Sequence, residues 1–140
     1  MPGILIIAHT PLASALRDCA THVYASCPSY LEAIDIPPDA SPGAMLAQAK
    51  AALERVASDG AALVLVDAAG ATPCNVAQRL AGAAGTSAVR VVSGVNLPML
   101  LRTVCYQKEP LDALVTRAVD GGQRGITELH SDEASEAPRC

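Results

Sequence analysis

The chain contains no Trp and no Phe, and its only aromatic side chains are Tyr24, Tyr30 and Tyr106. Because 51% of the residues are nonetheless apolar, the core has to be assembled from Ala, Val, Leu and Ile. Positive charge is scarce too: 10 Lys and Arg stand against 14 Asp and Glu, for a net charge of −4. A nucleic-acid groove needs clustered basic residues, and single strands also need aromatic platforms, so no nucleic acid is expected as a partner. The five cysteines (Cys19, Cys27, Cys74, Cys105 and Cys140) are odd in number and form no CxxC pair. That pattern indicates neither a complete disulfide framework nor a zinc site, and His9, His22 and His130 share no ligand spacing. No metal and no cofactor are expected.

Long apolar runs are missing as well. No segment approaches membrane-spanning length, and Met1-Pro2-Gly3 has no basic segment of the kind that opens a secretory signal. A reducing cytoplasm is the expected location, with any link to a membrane made only indirectly through a transporter complex. At 140 residues the chain suits one domain with a substantial core. Residues 1–130 are expected to form it, and the polar, acidic stretch 131–140 is expected to be a disordered tail.

Ile4-Leu5-Ile6-Ile7-Ala8 has no polar alternation, which predicts a strand buried on both faces, and it ends in His9. Thr10-Pro11 then predicts a helix start with the hydroxyl as cap, followed by Leu12, Ala15, Leu16, Cys19, Ala20 and Val23 at helical spacing. Leu31 to Ile36 reads as a second strand, stopped by Pro37-Pro38. Ser41-Pro42 opens a second helix, and Asp59-Gly60 follows its end. Ala62 to Val66 is another apolar strand and delivers Asp67. A small-residue loop, Ala68 to Ala71, leads to a third hydroxyl-proline start at Thr72-Pro73. Val89 to Val92 is the fourth strand, and Asn96-Leu97-Pro98 starts a fourth helix. An amphipathic segment runs from Pro110 to Gly121-Gly122, and Gly125 to Leu129 is a candidate last strand.

Strands alternating with helices indicate βαβ units and a mainly parallel sheet covered on both sides. Right-handed crossovers bring the strand carboxyl ends to one edge, so His9, Asp67, Thr72 and Asn96 share it. If the first and third strands are neighbours, His9 and Asp67 flank one crevice. An imidazole whose Nδ1–H meets a carboxylate has a fixed tautomer and a free, more basic Nε2. Nearby helix N-termini favour an anion, especially phosphate. No Walker motif and no GxGxxG is present, so no nucleotide is indicated. The constellation suits a histidine that receives a phosphoryl group, with Asp67 orienting the ring and Thr72, Gly70 and Ala71 holding phosphoryl oxygens. Taken singly, His9 also reads as a loop or capping histidine, Asp67 as a turn residue and Thr72 as an ordinary cap.

The segments Gly3 to His9, Val64 to Asn75 and Ser93 to Leu100, the last containing Gly94-Val95-Asn96-Leu97-Pro98-Met99, resemble the signature segments of the mannose-family enzyme IIA domains of the bacterial phosphotransferase system. The match in order and spacing runs from Gly3 to Leu129. The resemblance implies that the histidine phosphocarrier HPr phosphorylates His9, which passes the group to an enzyme IIB partner. It implies Asp67 as the ring's hydrogen-bond partner, Thr72 as a phosphoryl-oxygen donor, and Asn96, Leu97, Pro98 and Met99 as residues lining the site. It also implies a three-layer α/β sandwich with sheet order 2-1-3-4, in a homodimer whose C-terminal strand, here Gly125 to Leu129, adds to the other subunit's sheet.

Two departures stand out. Thr10-Pro11 replaces the glycine that usually follows the active histidine and puts a second hydroxyl beside the imidazole. Only Ala68 and Ala69 precede Gly70, where bulkier side chains are common. No fused IIB domain is expected. A regulatory protein whose His9 phosphorylation state controls binding to a target protein would keep the same chemistry. A thiol enzyme using Cys74, just inside a helix start, is a further alternative.

Overall fold

The computed structural model describes residues 1–24, 29–83, 85 and 87–131. Among the described residues four strands and five helices follow one another: β1 (Gly3–His9), α1 (Leu12–Val23), β2 (Leu31–Ile36), α2 (Pro42–Val56), β3 (Ala61–Val66), α3 (Thr72–Gly82), β4 (Ala88–Ser93), α4 (Leu97–Cys105) and α5 (Leu111–Arg124). The strands form one parallel sheet in the order β2-β1-β3-β4, as expected. Ile7 pairs with Val66 across β1 and β3, and His9 pairs with Ile36 across β1 and β2. The expected tail, residues 131–140, lies almost wholly outside the described residues.

The two central strands explain the unalternating apolar runs. Ile4 to Ala8 and Ala62 to Val66 are all 0% exposed, because side chains pointing either way meet a helical layer. Ile4, Ile6, Ala8, Leu63 and Leu65 pack with residues of α1, α4 and α5 on one face. Leu5, Ile7, Ala62, Val64 and Val66 pack with residues of α2 and α3 on the other. Each large aliphatic side chain buried in this way contributes about 1.5–3 kcal/mol. Edge strand β4 is less enclosed: its Arg90 turns outward and pairs with Asp112 on α5 at 2.7 Å.

Local signals marked several boundaries correctly and misled at others. Ser41 caps α2, accepting from the Ala44 N–H, and Asn96 caps α4, accepting from the Met99 N–H at 2.9 Å. At α1 the expected Thr10 cap does not form: Pro11 holds the cap position and the helix has no side-chain cap of its own. The buried stripe of α1 is Ala13, Leu16 and Ala20, while Leu12 is 38% exposed. At α3 the cap position is Ala71 and Thr72 is already helical. Helix α5 does not stop at Gly121-Gly122 but continues to Arg124. These glycines are contact points: a Cβ on Gly121 would lie 2.6 Å from Arg102 Cβ of α4, and one on Gly122 would lie 2.8 Å from Met99 Cε. They let two helices approach closely and so outweigh the usual helix penalty of glycine. The candidate last strand, Gly125 to Leu129, is not a strand in the single chain: Gly125 caps the end of α5, and residues 126–129 carry no regular secondary structure and pair with no strand among the described residues.

Cys105 is disulfide-bonded, and the Tyr24 hydroxyl lies 2.8 Å from its sulfur. Cys19 and Cys74 are free.

Candidate active site

Neighbouring strands β1 and β3 end at the same edge, so the first residues past their cores meet there. His9 is the last residue of β1, and Asp67 follows the last residue of β3. The contact between them is double. The His9 backbone N–H donates to Asp67 Oδ2 at 3.0 Å, and His9 Nδ1 lies 2.6 Å from the same oxygen. The other carboxylate oxygen, Oδ1, accepts from the Ala68 N–H at 2.9 Å. An ionised carboxylate only accepts, so in the neutral ring the proton resides on Nδ1 and the lone pair on Nε2. Nε2 makes no hydrogen bond to the described residues, and the ring is 54% exposed while the Asp67 side chain is 12% exposed.

Burial alone would push the Asp67 carboxyl upward. The His9 backbone N–H, the His9 ring and the Ala68 N–H outweigh it, and hold the group below the usual carboxylate range. Asp67 is therefore an anion wherever the protein is folded near neutral pH.

Beyond Asp67 the chain turns through Gly70, whose φ of +80° is in the left-handed region that glycine adopts without strain. The turn delivers Ala71 to the cap position of α3. With no side-chain cap there, and with the proline of this turn lacking an N–H, the positive end of α3 is left open. Thr72 is exposed, and its hydroxyl makes no bond to the described residues. It lines a shallow hollow with Pro42, Asn75, Val76 and Arg79.

The structure thus joins His9 and Asp67 directly and sets Gly70, Ala71 and Thr72 a few residues along the same loop. The fourth-strand segment has other work. Asn96 has both ends of its amide engaged, Oδ1 with the Met99 N–H and Nδ2 donating to the Gly122 carbonyl at 3.1 Å. Met99 is 4% exposed and packs in the core, whereas Leu97 is half-buried and Pro98 exposed. Cys74 is 6% exposed, which leaves little access for a thiol reaction. Among the described residues no group of three or more His, Cys, Asp or Glu stands close enough to hold a metal ion, and no helix is long and apolar enough to cross a membrane.

One pair near the site was not singled out in the sequence. Asp35 of β2 accepts from the Ser14 N–H at 3.1 Å through Oδ1 and from the Ser14 hydroxyl at 2.5 Å through Oδ2. The available signal was an acidic residue one position before the end of β2, a strand whose other acidic residue, Glu32, pairs instead with Arg55.

A family model described as the PTS system fructose IIA component matches residues 3–119. The chain belongs to the mannose-family enzyme IIA domains of the phosphotransferase system. It is a phosphoryl-transfer component of that system. It is 30% identical over 110 residues to the mannose-specific EIIAB component of Escherichia coli K12, a match that covers 75% of this chain and 33% of that protein. The chain thus spans about a third of the length of the curated relatives it matches. Among solved structures, the phosphotransferase component EIIA of Streptococcus agalactiae is 28% identical with a TM-score of 0.78, over 91% of this enzyme IIA chain and 97% of that one. The mannose/sorbose-specific IIA subunit from Enterococcus faecalis, at 24% identity and a TM-score of 0.81 over 96% and 98% of the two chains, shares the fold.

Proposed function

We propose that His9 is the residue that carries the phosphoryl group, accepting it on Nε2 from phosphorylated HPr and passing it to a histidine of an enzyme IIB partner. The observation that carries this reading is the 2.6 Å pair between His9 Nδ1 and Asp67, which fixes the tautomer and leaves Nε2 unbonded on an exposed edge. In the step, the Nε2 lone pair forms a bond to phosphorus as the bond from phosphorus to the donor's imidazole nitrogen breaks, and the donor imidazole departs with that electron pair. The Nδ1 proton stays on the ring, where Asp67 offsets the positive charge that develops.

The phosphoryl oxygens are then held by the open end of α3: the Thr72 hydroxyl and the backbone N–H groups of the Gly70-Ala71 turn. Thr10, exposed and next to His9 in the chain, supplies a second hydroxyl. Asn96 anchors the start of α4, and through it Leu97 and Pro98 shape the neighbouring surface. An enzyme IIB acceptor fits the name of the Escherichia coli relative, an EIIAB component. The protein acts as a homodimer in which Gly125 to Leu129 add to the second subunit's sheet. Support comes from Ile126 and Leu129, which are 79% and 72% exposed, and from β4, which has no neighbour on its outer side among the described residues.

The test is intact-protein mass spectrometry after incubation with phosphoenolpyruvate, enzyme I and HPr. An acid-labile phosphoryl adduct is expected, absent in His9→Ala. No adduct on the wild type, or one that persists in His9→Ala, refutes the assignment.

A further inference from the structure

The loop after His9 is the part of this site that its own sequence leaves unsupported. It carries Thr10-Pro11, and α1 begins at Leu12 with no side-chain cap from its own cap residue, Pro11. What holds it comes from the adjacent strand. The Thr10 N–H donates to the Ile36 carbonyl at 3.1 Å. Four residues further on, Ser14 is gripped at two atoms by the Asp35 carboxylate, N–H at 3.1 Å and hydroxyl at 2.5 Å. The Ser14 hydroxyl has one proton, and the shorter, charge-assisted bond to Asp35 claims it over the Pro11 carbonyl 3.3 Å away. Register puts these anchors beside the nucleophile: Asp35 pairs with Ala8 and Ile36 pairs with His9.

We propose that Ser14 and Asp35 are positioning residues for phosphoryl transfer: together they cap α1 from the neighbouring strand and clamp the Thr10-Pro11 loop against His9. The inference rests on the reading of His9 as phosphoryl carrier. Both residues are partly buried, and neither belongs to the His9-Asp67 pair. They act through the loop. The imidazole is oriented by Asp67, and the loop that directly follows it in the chain is tied to β2 by the Thr10 and Ser14 bonds. The carboxylate also occupies the positive end of α1, while the end of α3 carries no such group. A phosphoryl group on His9 is thereby steered toward α3 and away from α1.

Transfer from phosphorylated HPr is followed by rapid quench over a range of donor concentrations, with thermal unfolding recorded for each variant. Asp35→Ala is expected to lower the saturating rate about tenfold while KM stays within about twofold, because misplaced reacting groups cost rate and leave docking intact. Asp35→Asn keeps an acceptor for the Ser14 N–H and a donor for its hydroxyl, and is expected to recover most of that loss. Ser14→Ala, which retains the helix-starting N–H bond, is expected to show a smaller loss of about threefold, and it carries the test should Asp35→Ala fail to fold. Wild-type saturating rates in Asp35→Ala and Ser14→Ala overturn the proposal, as does a loss confined to KM or one that Asp35→Asn shares in full. Failure of the underlying reading is separately visible, since His9→Ala would then still take up the phosphoryl group.

Discussion

His9 meets Asp67 through two different groups on one oxygen: its backbone N–H at 3.0 Å and its ring Nδ1 at 2.6 Å both address Asp67 Oδ2. The carboxylate therefore fixes the ring relative to the backbone that bears it. Backbone placement comes from the parallel pairing of β1 with β3, and ring orientation follows from the side chain that the same pairing brings alongside.

Asp67→Ala is expected to slow phosphoryl acceptance by about tenfold to a hundredfold, the range that partners of a reacting or ligating imidazole carry. The fold should survive, because the sheet core on either side of the pair is apolar and intact. Quench-flow rates on a variant whose circular dichroism matches wild type check this. Unchanged kinetics would remove Asp67 from its orienting role.

The same carboxyl carries a pH signature. Its folded value lies below the ordinary aspartate value of about 3.9, so its contribution to stability is fully present above that value and is lost as pH falls through the folded one. The stability difference between wild type and Asp67→Asn should therefore shrink as pH is lowered from about 5 to about 2. Urea midpoints measured across that window provide the check, and a difference that grows on acidification would contradict the assigned direction.

Thr72 should separate function from stability. Its hydroxyl bonds to none of the described residues, so Thr72→Val is expected to change stability by less than about 0.5 kcal/mol. Loss of one preorganised donor to the phosphoryl oxygens should nonetheless cut the transfer rate about tenfold or more. Paired denaturation and transfer measurements would show the split, and a variant that transfers at the wild-type rate would exclude Thr72 from the phosphoryl site.

What was legible in the sequence was whatever short-range chemistry dictates. The unbroken runs Ile4 to Ala8 and Ala62 to Val66 announced strands covered on both sides, and each pointed to the ionisable residue after it. Ser41 and Asn96 behaved as caps because a hydroxyl or amide two or three residues ahead of free N–H groups has a local partner. Thr10 misled because the cap of α1 is supplied by Asp35, 21 residues from Ser14 in sequence, and only the β1-β2 register joins them. Gly121-Gly122 misled for a related reason. Locally glycine reads as a helix stop, but here its missing side chain is what allows α4 and α5 to touch.

The glycine contrast is itself testable. Gly121→Ala adds a methyl 2.6 Å from Arg102 Cβ, so it is expected to cost about 1–2 kcal/mol despite the better helix propensity of alanine. Gly82, the last residue of α3, has nothing within 4 Å of an added Cβ, and Gly82→Ala should stabilise by up to about 1 kcal/mol. Opposite shifts in Tm on otherwise identical proteins would bear this out, and shifts of the same sign would refute it.

The proposed dimer places its weight on the segment after α5. Ile126 and Leu129 are 79% and 72% exposed, an uneconomical position for two large aliphatic side chains unless a second copy covers them. Ile126 also borders a hollow with Val92, Ser93 and Gly94 at the end of β4, next to the open sheet edge. Covering one such side chain stabilises association by about 1.5–3 kcal/mol, so Ile126→Asp or Leu129→Asp should weaken dimerisation at least tenfold. Sedimentation velocity across a concentration series reads this directly. Because Ile126 and Leu129 lie in a stretch without regular secondary structure in the single chain, both variants should keep the wild-type Tm of the monomer fold. A variant that remains as dimeric as wild type would show that the second copy, if bound, sits elsewhere.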